Sequence, residues 1–208
     1  MQFEEEISDL KRLRELMPFD ETSGAAHIVS NRLNKVGRRF ISHSTFFVIA
    51  SKSAGGQVDV SPKGDPAGTV IVLDDQTLLI PERLGNHRAD TFRNILSDPN
   101  VALIFLVPGH GFSLRVSGKA KIVRDTSLSE QLSVNGKTPL LALVVSVEAA
   151  LMHCSKALIR SGIWRSDSWP EKGLAPVLAE WQIEVVDDKR SLEEVIEAHE
   201  RDAKTRLY

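Results

Sequence analysis

Four stretches of this chain, residues 46–50, 69–73, 101–107 and 140–147, are nearly unbroken apolar runs. A sheet with one wet face alternates apolar and polar side chains, so such runs predict strands covered on both faces. The connections exclude a parallel sheet, which needs crossovers of a dozen residues or more. Lys52-Ser-Ala-Gly-Gly leads from the first run into Gln57-Val-Asp-Val-Ser, and Asp74-Asp75 separates 69–73 from 77–80. Both are hairpin patterns. A barrel covers one strand face with its own interior, and helices together with a second copy of the protein would cover the other. A homodimer is therefore expected.

After Pro108-Gly-His-Gly comes a long alternating strand. Phe112, Leu114, Val116, Ala120 and Ile122 point one way, and Ser113, Arg115, Ser117, Lys119 and Lys121 the other. Gly118 marks a bulge or a sharp bend in it. Six or seven strands result, with helices around them. Ile7, Leu10, Leu13, Leu16 and Met17 form a helical stripe ahead of Pro18, and Val29, Leu33, Val36, Phe40 and Ile41 form another, opposite a solvated face of Lys35, Arg38 and Arg39. Further helices are predicted at about 87–97, 128–134 and 153–160, and after Ser191, which has capping-box spacing to Glu194. The class is mostly β (α+β). With no repeat, low-complexity stretch or long linker, residues 1–208 read as a single domain: a helical segment 1–42, a barrel 45–150 and a helical segment 153–208.

Charge and composition remove several functions. Lys and Arg total 26 against 28 for Asp and Glu, a net charge of -2 that gives no general pull toward nucleic acid or anionic membrane. No run approaches the roughly 18–20 apolar residues that span a bilayer, and the acidic start differs from a signal peptide, so a cytoplasmic protein is expected. Cys154 is the sole cysteine and the six histidines are scattered, so no metal-ligand spacing is present. Gly136-Lys137-Thr138 imitates the end of a phosphate-binding loop, but Gln131 stands where the first glycine is required. Signatures of a Rossmann dinucleotide site, a zincin and a serine-hydrolase elbow are lacking.

Two segments concentrate polar groups at strand ends. In Asp59-Val-Ser-Pro-Lys-Gly-Asp65 a strand with Val58 and Val60 turned inward delivers Ser61, Pro62, Lys63 and Asp65 together, as a site or as a plain polar loop. In Ile80-Pro-Glu-Arg-Leu-Gly-Asn-His-Arg88 a strand feeds a glycine turn and a helix N-terminus carrying Arg83, Asn86, His87 and Arg88. Free N–H groups and the positive dipole end there favour an anion, with added arginine a phosphate, whereas Asn86 as a simple N-cap is the alternative. From the residues alone, Lys156 reads as solvated and Trp164 as a core residue.

Taken in order, Phe40-Ile-Ser-His-Ser-Thr-Phe, Val58-Asp-Val-Ser-Pro-Lys-Gly-Asp65, Ile80-Pro-Glu-Arg-Leu-Gly-Asn-His-Arg88, Asn94-Ile-Leu, Leu114-Arg-Val-Ser-Gly-Lys-Ala and His153-Cys-Ser-Lys-Ala resemble the pyridoxamine 5′-phosphate oxidase-like FMN-binding split barrels, over about residues 40–165. The resemblance implies a six-stranded antiparallel split β-barrel with flanking N- and C-terminal helices, a homodimer with FMN at the subunit interface, and a small-molecule substrate. It implies that His87 and Arg88, with Arg83 and Asn86 beside them, bind the FMN phosphate. Ser61, Pro62 and Lys63, with Ile80 and Pro81 on the neighbouring strand, would run along the flavin. Ser113 and Arg115 would face flavin or substrate, and Lys156 and Trp164 would approach the cofactor of the other subunit. The acidic helix after Ser191 replaces the R-L-x-P ending of the founding oxidases, so a vitamin substrate is not implied. The activity expected is FMN-dependent oxidoreduction, with flavin N5 accepting hydride while protein charges tune the ring. The alternatives are a non-catalytic flavin or haem carrier and a cofactor-free interaction barrel.

Overall fold

The computed structural model describes residues 2–85 and 87–208. Helix α1 (Leu10–Leu16) starts where the Asp9 carboxylate accepts the Arg12 N–H, and none of its residues is buried. Helix α2 (Lys35–His43) starts later than the apolar stripe suggests, because Asn34 caps it by accepting the Gly37 N–H at 2.9 Å. Upstream, Ser30 instead bridges to Ala150. The Phe40 and Ile41 side chains of α2 enter the core.

Seven strands follow in one antiparallel sheet: β1 (Phe46–Lys52), β2 (Val58–Gly64), β3 (Ile71–Val72), β4 (Thr77–Pro81), β5 (Asn100–Leu106), β6 (Ser113–Val123) and β7 (Ala142–His153), in the order β2-β1-β5-β6-β7-β4-β3. The family pattern implies six strands; the seventh is the two-residue β3, held to β4 by a turn in which the Leu73 N–H donates to the Thr77 carbonyl. The architecture is α+β with a split, unclosed barrel: among the described residues no ladder joins β2 to β3. Gly118 marks the register shift between β6 and β7, and a Cβ there would overlap the Ser146 carbonyl. The core gathers Ile49, Leu78, Leu103, Phe105, Val116 and Val145 from the inner faces, closed by Ile41 of α2 and by Phe92 of α3 (Asp90–Ser97). A smaller cluster, Leu79, Leu132, Ala142 and Val144, sits on the other side of β4 and β7, with Leu128 of α4 (Thr126–Gln131) against it.

Two strand readings need correction. Val58 and Val60 face outward, 71% and 60% exposed, because the β1 register puts Asp59, Ser61 and Lys63 opposite the inward-facing Ser51, Ile49 and Phe47. A shift of one residue reverses every side chain of a strand. The run at 101–107, moreover, is covered on one face only within this chain, since Ala102 and Ile104 are exposed between buried neighbours. Pro62, Val48, Ile104, Arg115 and Leu151 lie side by side across the outer face of five strands.

Past β7 come α5 (Lys156–Ser161), α6 (Leu178–Val186) and α7 (Leu192–Thr205). The capping box of α7 forms as expected: Ser191 Oγ accepts the Glu194 N–H and the Glu194 carboxylate accepts the Ser191 N–H. Helices α6 and α7 join through Val195, Ala179 and a contact of His199 Nε2 with Gln182 Oε1 at 3.0 Å. Among the described residues no helix is long and apolar enough to cross a membrane.

Candidate functional site

The open seam of the sheet forms a groove of about 1620 Å³ between β2 and the end of β4, walled by α3, by residues 136–141 and by Leu207 and Tyr208. Phe47, Val70, Ile80, Phe92 and Ile122 make its apolar floor. Concave, largely apolar surfaces with a few convergent polar groups are the usual form of a small-molecule site.

The outward turn of Val58 and Val60 is what gives the groove its polar edge. Because β2 has the opposite parity to that expected, Ser61 and Lys63 stand on the groove side, with Pro62 between them also reaching the lining. Lys63 Nζ donates to Glu82 Oε2 at 3.3 Å. Arg83 is held from two sides, its Nε donating to Asp65 Oδ2 at 2.7 Å and its Nη2 to the Leu132 carbonyl at 2.8 Å. The Tyr208 ring covers its guanidinium, 5.5 Å from Cζ. Burial, then the negative Asp65 beside it, raises the Tyr208 hydroxyl above the ordinary tyrosine value.

The loop entering α3 departs from the helix predicted to begin at about 87. His87 and Ala89 both adopt left-handed backbone, with φ of 57° and 54°, so α3 starts only at Asp90. Residues with side chains take this conformation at a penalty of about 1–2 kcal/mol each. Left-handed Ala89 followed by helical Asp90 is the dihedral alternation that curls successive N–H groups into an anion-binding concavity. His87 lines the groove. Arg88 is exposed between the lining residues His87 and Ala89 and is not itself in the lining; its Nε donates to Asp90 Oδ2 at 2.7 Å, and this carboxylate holds the guanidinium above its usual pKa. Asn86 lies outside the described residues.

The structure thus brings Ser61, Pro62, Lys63, Ile80, Pro81, Arg83 and His87 together in one groove. Ser113, Arg115, Lys156 and Trp164 do not join them within the chain. Ser113 and Arg115 share the outer parity of β6, Ser113 buried and Arg115 exposed beside Ile104 and Leu151. Lys156 is an exposed residue at the start of α5. Trp164 Nε1 donates to the His110 carbonyl at 2.9 Å.

Two further lining segments lie outside the site expected from the sequence, one of them the Gly136-Lys137-Thr138 stretch that only imitates a phosphate-binding loop. Asn135 and Gly136, with φ of 51° and 73°, form a tight reversal closed by paired hydrogen bonds between Val134 and Lys137, which brings Lys137 and Thr138 to the groove. An Asn-Gly dipeptide is itself a hairpin signal and could have been found. Leu207 and Tyr208 reach the groove only through tertiary packing and carry no local signal.

The chain is an antiparallel split barrel with an amphipathic groove at its seam. Residues 33–154 match the family model of pyridoxamine 5′-phosphate oxidase, and this chain belongs to that family. Similar solved structures include a single-residue variant of HupZ from Group A Streptococcus, 18% identical over 58% of this chain and 99% of the other, with a TM-score of 0.49. An FMN-binding protein from Syntrophomonas wolfei is 14% identical over 68% and 92%, with a TM-score of 0.42. HutZ, the heme storage protein of Vibrio cholerae, is 14% identical over 59% and 94%, with a TM-score of 0.39. No curated protein matches the chain.

Proposed function

We propose that this protein is an FMN-dependent oxidoreductase acting on a small-molecule substrate, with the flavin in the seam groove. The observation that carries the reading is the strained loop before α3, where two residues with side chains are held left-handed at the groove mouth. Backbone strain of this kind persists where the surrounding structure fixes it, and it clusters at ligand sites. Here it supports a phosphate seat formed by the N–H groups entering α3, with His87 and Arg88 beside them and Asn86 in the role the family likeness implies. The apolar floor around Ile80 and the edge formed by Ser61, Pro62 and Lys63 fit a flat aromatic ring with a polar rim.

When bound, the flavin supplies a two-electron acceptor at N5. The chain's own groups bind and orient. Lys63, restrained by Glu82, presents an ammonium along the groove, and Arg83 keeps the wall rigid through Asp65 and the Leu132 carbonyl.

The same reading makes the protein a homodimer. Exposed Phe46, Val58, Val60 and Ile104 form an apolar outer face around Arg115, and β2 carries that face on one side and the groove on the other. A second copy on this face would bring Ser113, Arg115, Lys156 and Trp164 toward the seam of its neighbour.

The test is the visible spectrum of purified protein with mass analysis of the released cofactor. Flavin bands and the mass of FMN are expected; FAD, a haem Soret band, or failure to take up FMN at micromolar concentration refutes the reading. Arg88→Ala should then weaken FMN by about 1.5–3 kcal/mol, or roughly 10- to 150-fold, with the fold intact.

A further inference from the structure

The segment after α7 reaches back to the groove. The Arg206 N–H donates to the Asp202 carbonyl at 2.8 Å, and Nη1 of its side chain donates to Asp202 Oδ1 at 3.0 Å. Its Nη2 donates to His87 Nε2 at 3.0 Å, across 119 residues of sequence. Two residues on, the Tyr208 ring lies over Arg83, which Asp65 and the Leu132 carbonyl already immobilise. The strap is therefore fixed at both ends, by Asp202 and by Arg83, with the Arg206 guanidinium between them against the loop that enters α3.

We propose that Arg206 is a further anion-binding residue of the groove, acting with His87 on a phosphate monoester and held in place by Tyr208. A guanidinium has five N–H donors. Among the described residues Arg206 uses one nitrogen on Asp202 and one on an imidazole. An imidazole nitrogen is an uncharged acceptor, so its bond to the guanidinium has one ionised partner, whereas a bond from guanidinium to phosphate has two. An anion seated on the α3 loop would thus draw Arg206 Nη2 from His87 Nε2, and the neutral imidazole, whose Nε2 is an acceptor, would give it the Nδ1 N–H. The phosphate can belong to the flavin or to a free phosphate compound, and the proposal rests on the groove being the anion site described above.

Isothermal titration of the full chain with FMN, riboflavin and inorganic phosphate tests it, using wild type, Arg206→Ala, Arg206→Lys and Tyr208→Ala, with urea midpoints to verify folding. Arg206→Ala should lose about tenfold or more in FMN affinity, the low end for a charge-assisted bond. Its phosphate affinity should fall in parallel while riboflavin changes little. Arg206→Lys should lose less, and Tyr208→Ala should follow Arg206→Ala. If Arg206→Ala binds FMN and phosphate as tightly as wild type, the proposal fails and the flavin reading stands. If it binds FMN more tightly, the strap competes with the ligand and the proposal fails as well. If wild type takes up no FMN but binds phosphate through Arg206, the flavin reading fails and this one holds. Wild type that binds neither overturns both.

Discussion

The Asp65–Arg83 pair braces the groove wall and the Tyr208 ring, and its own contribution can be read from stability. Its N–O distance is 2.7 Å, and the two side chains are 10% and 14% exposed. Asp65→Asn keeps the shape and removes the charge, so Arg83 is left as a nearly buried cation with only neutral acceptors, the Asn amide oxygen and the Leu132 carbonyl. Breaking a buried pair from one side costs about 3–5 kcal/mol, and the residual exposure points to about 3. With a urea slope of about 2 kcal/mol per M, the unfolding midpoint should fall by about 1.5 M. Arg83→Met should cost a similar amount by stranding the carboxylate. The double variant Asp65→Asn/Arg83→Met should cost clearly less than the two single losses together, because no uncompensated charge is then buried. Chemical denaturation of the three variants gives the cycle. A midpoint shift under about 0.5 M for Asp65→Asn, or strict additivity in the double variant, would refute the buried-pair account.

Gly118→Ala should lower stability by about 3 kcal/mol, the top of the usual overpacking range, because the new methyl meets the backbone of Ser146; the urea midpoint reads it. Ala89→Gly should raise stability by about 0.5–1 kcal/mol, since relief of left-handed strain exceeds the entropy of glycine, and thermal melting of the cofactor-free protein checks it. Hydrogen bonds from Lys52 and then Asn100 hold Asp98 down to about 2 from a usual value of 3.8. A depressed carboxylate stabilises above its unfolded value and loses that contribution as pH falls through the folded one, so Asp98→Asn should flatten the stability curve between about pH 4 and 2. Ile104→Asp, a charge amid the outer apolar face, should yield monomers in sedimentation while the chain stays folded.

Hairpin order, the bulge at Gly118 and the α7 capping box were legible because each has a local cause: turn residues, a missing side chain and a Ser/Glu pair three apart. That seven of the candidate residues share one groove was legible for the same reason, since they belong to two short segments around β2 and the end of β4. Parity of β2 was not. Val58 and Val60 are as apolar as core residues, and only pairing with Phe46–Lys52 decides which face they take. The start of α3 was misread because Ala89 is a good helix former, and its left-handed backbone is imposed by the loop around it. Arg206 and Tyr208 act through contacts more than a hundred residues away along the chain, beyond any local pattern.

An unclosed sheet has two bare rims, and rims recruit strands from other molecules. In this protein both rims are ill suited to growth. The β2 rim carries Pro62, whose ring takes the place of one N–H that a visiting strand would need, and β3 offers only Ile71 and Val72. The seam can therefore stay open for a ligand without becoming a template for fibres, and replacing Pro62 with valine would trade that protection for a continuous sticky edge.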